Sequence, residues 1–240
     1  MKTLMTWAFL ALTTLSILPT QAQTVDEIVT KHIDAMGGKT QLTAIKTIYK
    51  ESSVEVMGNE APSITYIING KAYKNELDFG GQKIIQCVTN TGGWSVNPMA
   101  GQTTPTPLTE DLVKASQVQL EIGGPLLDYA AKGYKVEMIG KDTAGSLSYK
   151  LRLTTKEGMI MTFFIDGKTW YMTKSINKVN AGGQEIETVV TFSDYKKTEN
   201  GYVMAYSQSI TLPQVTLNIT HKKIEVNKEI DPAIFEMPKS

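Results

Sequence analysis

The stretch that organises this chain, TEDLVKASQVQLEIGGPLLDYAAKG, runs from Thr109 to Gly133. It is the only long helical pattern downstream of the N-terminal region, and it interrupts a series of short strand patterns. Thr109 is a suitable N-cap, because a threonine hydroxyl can accept a hydrogen bond from a free N–H group of the first turn. Gly123 and Gly124 are expected to end this helix, and Pro125 is expected to begin a second short helix that Gly133 ends.

The apolar surface of this segment is wider than contact with one sheet requires. Glu110, Lys114, Gln117 and Glu121 form a narrow polar stripe at helical spacing, and apolar residues lie on both sides of it. We interpret the segment as a helical lid, or plug, over an apolar space. The alternative is a helix pair packed against a sheet with nothing beneath it. The lid residues predicted to contact a ligand are Leu112, Val113, Leu120, Leu126, Leu127 and Tyr129.

The first residues of the chain have the features of a secretory signal peptide. Lys2 supplies a positive charge, Trp7 to Leu18 form an apolar run, and small residues precede a cleavage point after Ala22. A membrane-anchored N-terminus is the alternative. No Cys stands near Gln23, so a lipoprotein-type acyl group has no acceptor, and no later run reaches the ~20 apolar residues of a membrane span. We expect a soluble, monomeric periplasmic protein in which residues 23–240 form a single domain.

Charge and cysteine content exclude several classes of protein. The chain has 24 Lys and Arg residues against 24 Asp and Glu residues, and Arg152 is its single arginine. Without a basic excess or a basic run, nucleic acid is not an expected partner. Cys87 is the one cysteine, so no intrachain disulfide can form and the fold must be stabilised by its core.

Helical spacing near the N-terminus gives way to an alternation of period two from Thr47 onward. Thr24 and Glu27 form a capping box for the first helix, and a shorter helical turn covers residues 41–45. Gly-containing turns separate the strands, and one-sided alternation is typical of an antiparallel sheet with one buried face. Pro98 to Pro107 is predicted to be a linker. The predicted strands are residues 47–57, 63–68, 71–79, 83–89, 94–97, 134–139, 147–155, 160–165, 170–179, 185–196, 202–212 and 214–226.

So many consecutive strands are expected to curl, because a flat open sheet of this size is unusual. The predicted fold is mainly β, of the α+β class. It is a curved antiparallel β half-barrel of about eleven strands with an N-terminal helix and the helical lid or plug inserted mid-chain. The closing segment, residues 230–238, is predicted to be a capped turn that docks Phe235 and Met237.

Few residues offer catalytic or metal-binding chemistry. His32 and His221 each continue an apolar face and lack a second ligand at metal spacing, so both are interpreted as core histidines. Cys87 lies in an apolar strand pattern and is interpreted as a small core residue. We therefore expect no enzyme activity, no cofactor and no metal site. An esterase would need a Ser or Cys beside one of the histidines, which the sequence does not show.

The remaining candidate for function is apolar surface. The chain contains 11 methionines, whose flexible side chains suit a pocket for flexible ligands but also fill ordinary cores. Trp94 is predicted to anchor the start of the lid, and Gly123 with Gly124 is predicted to act as a hinge. The strand residues predicted to face the cavity are Trp94, Phe163, Tyr202, Met204, Tyr206, Leu217 and Ile219.

Five parts of the sequence carry a family resemblance. They are TVDEIVTKHIDAMGGKTQLTAIKTI from Thr24, GWSVNPMAG from Gly93, GGPLLDYAAKGYKVEMIGKD from Gly123, YKLRLT from Tyr149 followed by the FFID strand from Phe163, and IDPAIFEMP from Ile230. Together they resemble the outer membrane lipoprotein-sorting proteins of the LolA-like superfamily, in the form common in Bacteroidetes-type genomes. The resemblance implies a chaperone-like carrier whose apolar cavity takes acyl chains of lipoproteins or lipids for transfer toward the outer membrane. It also implies an inner-membrane release complex and an outer-membrane acceptor as partners.

One feature departs from that family. Its carriers use an inward arginine on an early strand to latch the lid, whereas the early strands here carry Lys71 and Lys74 in that region. Arg152 alternates with inward-facing Leu151 and Leu153 and is expected to point outward. The same fold also serves generic hydrophobic-ligand binders and structural envelope modules, which are the alternative functions.

Overall fold

The computed structural model describes residues 23–181 and 184–238, so the predicted signal peptide lies outside the described residues. Three α-helices are α1 Val25–Ala35, α2 Lys39–Ala44 and α3 Glu110–Ser116, and short 3-10 helices cover Pro98–Ala100, Gln117–Leu120 and Pro232–Phe235. The strands are β1 Thr47–Val56, β2 Asn59–Ile68, β3 Ala72–Phe79, β4 Gln82–Thr89, β5 Gly93–Asn97, β6 Gln102–Pro107, β7 Lys135–Asp142, β8 Ser148–Thr154, β9 Ile160–Asp166, β10 Met172–Ala181, β11 Gln184–Lys197, β12 Val203–Thr211 and β13 Thr216–Val226.

All of these strands belong to one antiparallel sheet in the order β6-β5-β4-β3-β2-β1-β13-β12-β11-β10-β9-β8-β7. The first and last strands along the chain, β1 and β13, therefore pair with each other in the middle of the sheet. The sheet curves without closing into a barrel, which confirms the predicted half-barrel. The edge strands β6 and β7 are not paired with each other.

Helix α1 begins where the sequence predicts. The Thr24 hydroxyl accepts a hydrogen bond from the backbone of Glu27 at 3.2 Å, and the Glu27 carboxylate accepts one from the backbone of Thr24 at 3.0 Å. Its apolar side buries Ile28 and Ile33 against the sheet, in one core with residues of α2, β8 and β9. We call the face of the sheet that α1 covers the inner face, and the opposite one the outer face.

The predicted second helix after Pro125 is wrong. Residues 125–133 form consecutive turns, and Asp128 has a left-handed φ of 53°, which a right-handed helix cannot accommodate. The Asp128 carboxylate pairs with Lys39 of α2 at 2.5 Å, in an exposed ion pair between residues far apart in the sequence.

The predicted linker from Pro98 to Pro107 is also wrong in part. After one 3-10 turn it forms β6, which pairs Thr106 with Ser95 and Gln102 with Asn97 at the edge of the sheet. An edge strand tolerates Pro105 because a strand with one partner leaves half of its N–H groups unused by the ladder. The sheet has thirteen strands where a half-barrel of about eleven is predicted, and β6 is the one that none of the twelve predicted strand ranges covers.

A second, smaller core lies on the outer face, where the C-terminal segment covers the sheet. It contains Ala72, Cys87, Trp94 and Phe235. Phe235 docks as predicted, but Met237 is 46% exposed, because the chain leaves the sheet after the 3-10 turn. Within residues 23–181 and 184–238, no helix combines the length and the apolar character that crossing a membrane requires.

Candidate functional site

Helix α3 crosses the inner face from one wall of the curved sheet to the other. It contacts β4 and β10, which are separated in the sheet by six other strands. Thr109 caps the helix as predicted, accepting a hydrogen bond from the backbone of Leu112 at 3.4 Å. Leu112 is 41% exposed and the Glu110–Lys114 ion pair is on the surface. The helix therefore covers the inner face without being built into the core.

The segment that follows α3 is packed much more firmly. We call residues 117–134 the plug. Leu126 and Ile122 are buried in the main core, Leu120 is buried at 3% exposure, and the Leu120 carbonyl accepts a hydrogen bond from the Gly70 backbone at 2.8 Å. The Asn69 side chain accepts one from the backbone of Ile122 at 3.2 Å, and the Tyr129 hydroxyl donates to Asp26 of α1. The predicted lid thus has two parts, an exposed cover and a core-packed plug.

The inner face changes chemistry along β1, β2 and β13. Near α1 it is apolar, with Ile48 and Ile67 in the main core. The next inward positions form what we call the polar level, which consists of Lys50, Ser52, Ser63, Thr65, Asn75 and His221. Beyond it lies what we call the distal level, which is again apolar and consists of Val54, Ala61, Leu217 and Ile219.

The polar level is linked by short hydrogen bonds. Ser52 Oγ lies 2.7 Å from Nδ1 of His221, and the Asn75 amide donates to Ser63 and Thr65 at 2.8 and 2.9 Å. His221 is only 6% exposed, and its Nε2 atom is buried without a partner within the described residues. Burial, and secondarily the charge of Lys50, lowers the pKa of His221 to about 3, so the imidazole is neutral near pH 7.

Lys50 places a cation on the inner face. Its neighbours Tyr49 and Glu51 bond to each other at 2.9 Å on the outer face, so the alternation of β1 turns Lys50 inward. Burial lowers the pKa of Lys50 to about 8. Within the described ranges its ammonium group makes no hydrogen bond or ion pair.

The early-strand lysines singled out in the sequence are therefore not the inward ones. Lys74 pairs with Glu76 at 2.8 Å and lies 5.7 Å from the centre of the Trp94 ring on the outer face, and Lys71 is exposed. Alternation in β1, with Ile48, Ser52 and Val54 at positions of the same parity, is the signal that could have identified Lys50. Arg152 is exposed on the outer face, as predicted.

Most of the predicted cavity residues lie on the inner face but fill the core. Leu126, Phe163, Tyr202 and Met204 are buried in the main core, and Leu127, Tyr129 and Tyr206 pack partly buried against it. Leu120 is buried as well, outside that core. Val113 is half-buried on α3, whereas Leu112 is exposed. Leu217 and Ile219 belong to the distal level and are half-buried.

Trp94 is not at the lid. Its Nε1 donates a hydrogen bond to the Phe235 carbonyl at 2.9 Å in the outer core, and Gly93 takes the inward position next to it. The prediction that Trp94 faces the cavity is wrong, because Trp94 pairs with Cys87 of the outer core and its neighbour Gly93 has the inward position. Trp94 anchors the C-terminal segment instead.

Two cavities border the plug. One of about 150 Å³ lies between the plug and the inner face, with Ile122, Gly123, Tyr202 and Gln208 in its wall. The other, an open groove of about 440 Å³, lies between α1 and the plug. Cavities that bind drug-sized ligands measure about 300–1,000 Å³. The space of about 150 Å³ between the plug and the inner face is too small for a long acyl chain while the plug and α3 stay in place.

The two histidines have different surroundings. Nδ1 of His32 lies 2.8 Å from the Trp170 carbonyl in the main core, and burial lowers the pKa of His32. His221, in contrast, has Ser52 directly beside it, a neighbour that the sequence did not show because β1 and β13 lie at opposite ends of the chain. In the part of the chain that the structure describes, no three His, Cys, Asp or Glu side chains form a group that could hold a metal ion.

Comparison with solved structures identifies the fold. The chain is similar to a LolA superfamily protein from Nitrosomonas europaea, with a TM-score of 0.59, 8% identity, and 90% of this chain and 98% of that chain covered. A DUF1329 family protein from Desulfovibrio piger gives a TM-score of 0.56 at 14% identity over 87% and 97% of the two chains. A protein described as an outer membrane lipoprotein-sorting protein domain from Vibrio parahaemolyticus gives 0.54 at 12% identity over 87% and 94%.

No family model matches the sequence, and no curated protein matches it. The structural likenesses show that the chain has the LolA-like fold, as the sequence resemblance implied. The Bacteroidetes-type assignment stays a prediction.

Proposed function

We propose that this protein binds acyl chains on the inner face of its sheet, beneath α3, and carries lipids or lipoproteins through the periplasm toward the outer membrane. The observation that carries the proposal is the position of α3, which spans from β4 to β10 over the inner face. A LolA-like sheet with such a cover provides a surface shielded from water that one short helix can expose.

Ligand entry requires α3, and in part the plug, to move. The cavity of about 150 Å³ between the plug and the inner face cannot hold a long chain. Helix α3, by contrast, is half-exposed to exposed along most of its length. Its ends are held by the bond from Leu108 to the Gly93 carbonyl at 2.9 Å and by the bond from the Gln117 side chain to the Thr89 carbonyl at 3.1 Å. Burying each CH₂ group contributes about 0.8 kcal/mol, so a sixteen-carbon chain gains roughly 12 kcal/mol before ordering costs. That gain is sufficient to displace a weakly held helix.

The names of two structural neighbours support the proposed binding of lipids or lipoproteins. One is a LolA superfamily protein and another is described as a lipoprotein-sorting domain. A carrier of this kind acts after cleavage of a signal peptide, receives cargo from an inner-membrane complex and passes it to an outer-membrane acceptor. We propose these steps for this chain as well. A ligand-binding protein without transfer activity, or a structural envelope module, is the alternative.

The Ser52–His221 pair favours an esterase as a second candidate, but its geometry is poor for catalysis. Burial and the Lys50 charge hold the pKa of His221 far below 7, so the imidazole is a weak general base. The Ser52 hydroxyl contacts Nδ1, and no carboxylate orients the ring through Nε2 within the described residues. We therefore expect no hydrolysis of p-nitrophenyl esters above the rate of the Ser52→Ala variant.

Native mass spectrometry of the protein purified from its own periplasm tests the binding proposal. The expected result is a population whose mass exceeds that of the chain by one lipid or fatty acid, released on organic extraction. The extracted protein should then bind a fluorescent fatty acid with one site. If the purified protein carries no ligand and the extracted protein binds no fatty acid, the proposal fails and the structural module is favoured.

A further inference from the structure

The polar level contains a cation with no anion beside it. Lys50 faces Ser52 along β1 and Thr65 on β2, and the titratable groups around it on the inner face are His221 on β13 and Tyr73 on β3. The carboxylates nearest in sequence are on the outer face, where Glu51 lies 3.9 Å from Lys223. A buried ammonium group is costly unless a partner compensates it.

A structural role does not account for this arrangement. Lys50 holds no other element in place through a hydrogen bond, and His221 Nε2 is likewise unpaired. An apolar side chain at either position would fill the same space at a lower cost of desolvation. Lys50 is the inward neighbour of Ser52 along β1, and Ser52 pairs with His221 on β13, so an ammonium group and an unpaired ring nitrogen lie at diagonal inward positions. Such a pair suits an anion, which can accept a charge-assisted hydrogen bond from the ammonium group.

We propose that Lys50 and His221 form a receptor for the anionic end of a single-chain amphiphile, a fatty acid carboxylate or a lysophospholipid phosphate. This inference rests on the proposed acyl-chain binding and adds the chemistry of the headgroup. The hydrocarbon chain then lies on the distal level, where Val54, Leu217 and Ile219 supply apolar side chains next to the polar level.

The hydrogen bond of His221 sets the tautomer that such a receptor needs. When the Ser52 hydroxyl donates to Nδ1, the proton of the neutral imidazole is on Nε2. Nε2–H and the Lys50 ammonium then supply two donors for the two oxygens of a carboxylate. Ser52 is in this account a positioning residue, because it orients His221 without contacting the ligand.

The test compares ligands that differ only in charge. Titration calorimetry on the extracted full-length protein at pH 7 measures the affinity of palmitate, of hexadecanol with the same chain length, of lysophosphatidate, and of acetate and inorganic phosphate without a chain. We expect the Lys50→Met variant to lose about 10- to 100-fold in palmitate affinity, the range for a charge-assisted hydrogen bond, and to keep its hexadecanol affinity. The exposed Lys46→Met variant is the matched control and should bind both as wild type does.

A pH series separates a direct role of Lys50 from an indirect one. Because the pKa of Lys50 is about 8, palmitate binding to the wild-type protein should weaken by about tenfold per pH unit above 8, whereas His221 does not titrate there. Binding to Lys50→Met should not change over this range. Thermal melts of each variant establish that it is folded.

Each outcome decides one question. Equal affinity for palmitate and hexadecanol, with no effect of Lys50→Met, overturns the headgroup receptor but leaves acyl-chain binding intact. Absence of binding by every chain-bearing ligand overturns the proposed function itself. Binding of palmitate but not lysophosphatidate assigns the site to carboxylates, and tight binding of acetate or phosphate alone would show a small-anion site and overturn the amphiphile.

Discussion

Ser52 Oγ and His221 Nδ1 lie 2.7 Å apart on the inner face, where the first and last strands of the sheet pair. The contact joins two strands that are neighbours in the middle of the sheet although nearly the whole chain separates them in sequence. It also links the part of the polar level on β1 with the part on β13, and no local sequence pattern in either strand predicts this link.

Removing the Ser52 hydroxyl should leave a second buried ring nitrogen unpaired. We expect Ser52→Ala to lower the free energy of unfolding by about 1–3 kcal/mol, the cost of an unsatisfied buried polar group. Urea unfolding followed by circular dichroism measures the change. Ser53→Ala is the control, because the adjacent hydroxyl bonds to Glu60 at 2.9 Å in an exposed position, and its effect should stay within about 0.5 kcal/mol. Equal effects of the two substitutions would show that the Ser52–His221 contact does not stabilise the fold.

Lys50 should make the protein less stable below pH 8 than an apolar residue would. Its pKa falls from 10.5 in the unfolded chain to about 8 in the folded one, so the unfolded state binds more protons between these values and stability rises with pH there. The full cost of the buried charge is present below pH 8. We expect Lys50→Met to raise Tm at pH 7 by several degrees, with the gain shrinking toward pH 10, as measured by differential scanning calorimetry. A gain that is the same at both pH values would mean that the charge of Lys50 is not the cause.

Trp94 should stabilise the C-terminal segment and have no part in ligand binding. Trp94→Phe keeps most of the ring but removes the donor to the Phe235 carbonyl, and we expect a loss of about 1 kcal/mol in unfolding free energy. Fatty-acid affinity should not change, because Trp94 lies in the outer core. A large loss of fatty-acid affinity in a folded Trp94→Phe variant would contradict this and show that Trp94 contributes to ligand binding.

The cover and the plug should differ in local stability. Amides of α3 are expected to exchange quickly in the ligand-free protein and to be protected by a bound fatty acid, because few contacts fix this helix. The amides of Ile122 and Gly70 should be protected in both states, because the first donates to the Asn69 side chain and the second to the carbonyl of buried Leu120. Hydrogen exchange with mass spectrometry resolves the two segments. Core-like protection of α3 without ligand would show that the helix is not a movable cover.

Local chemistry made much of the fold predictable. The Thr24–Glu27 capping box places α1, and alternation with Gly-containing turns gives twelve of the thirteen strands. The strand that was missed, β6, contains Pro105 and Pro107, and its pairing with β5 depends on edge geometry that composition does not reveal. The plug likewise bonds to partners distant in the sequence, since the Ile122 backbone donates to Asn69 and the Leu120 carbonyl accepts from Gly70.

The site was less predictable than the fold for two physical reasons. The neighbours of His221 depend on the pairing of β1 with β13, which sequence spacing cannot give. The face to which Trp94 points depends on the register in which β5 pairs with β4, and a shift of one residue moves a side chain to the other face of the sheet. The inward position of Lys50 could have been predicted from the sequence, because Lys50 alternates with the same inward-facing set of β1 as Ile48 and Val54.

Photo-crosslinking with a diazirine-bearing palmitate tests most directly whether an acyl chain binds on the inner face beneath α3. After irradiation and proteolysis, we expect one saturable label per chain on peptides of α3 and on the part of β13 that contains Leu217 and Ile219, suppressed by an excess of unlabelled palmitate. The outer-face peptides that contain Trp94 and Phe235 should stay unlabelled. Labelling that does not saturate, or that falls on those outer-face peptides instead, would contradict acyl-chain binding on the inner face.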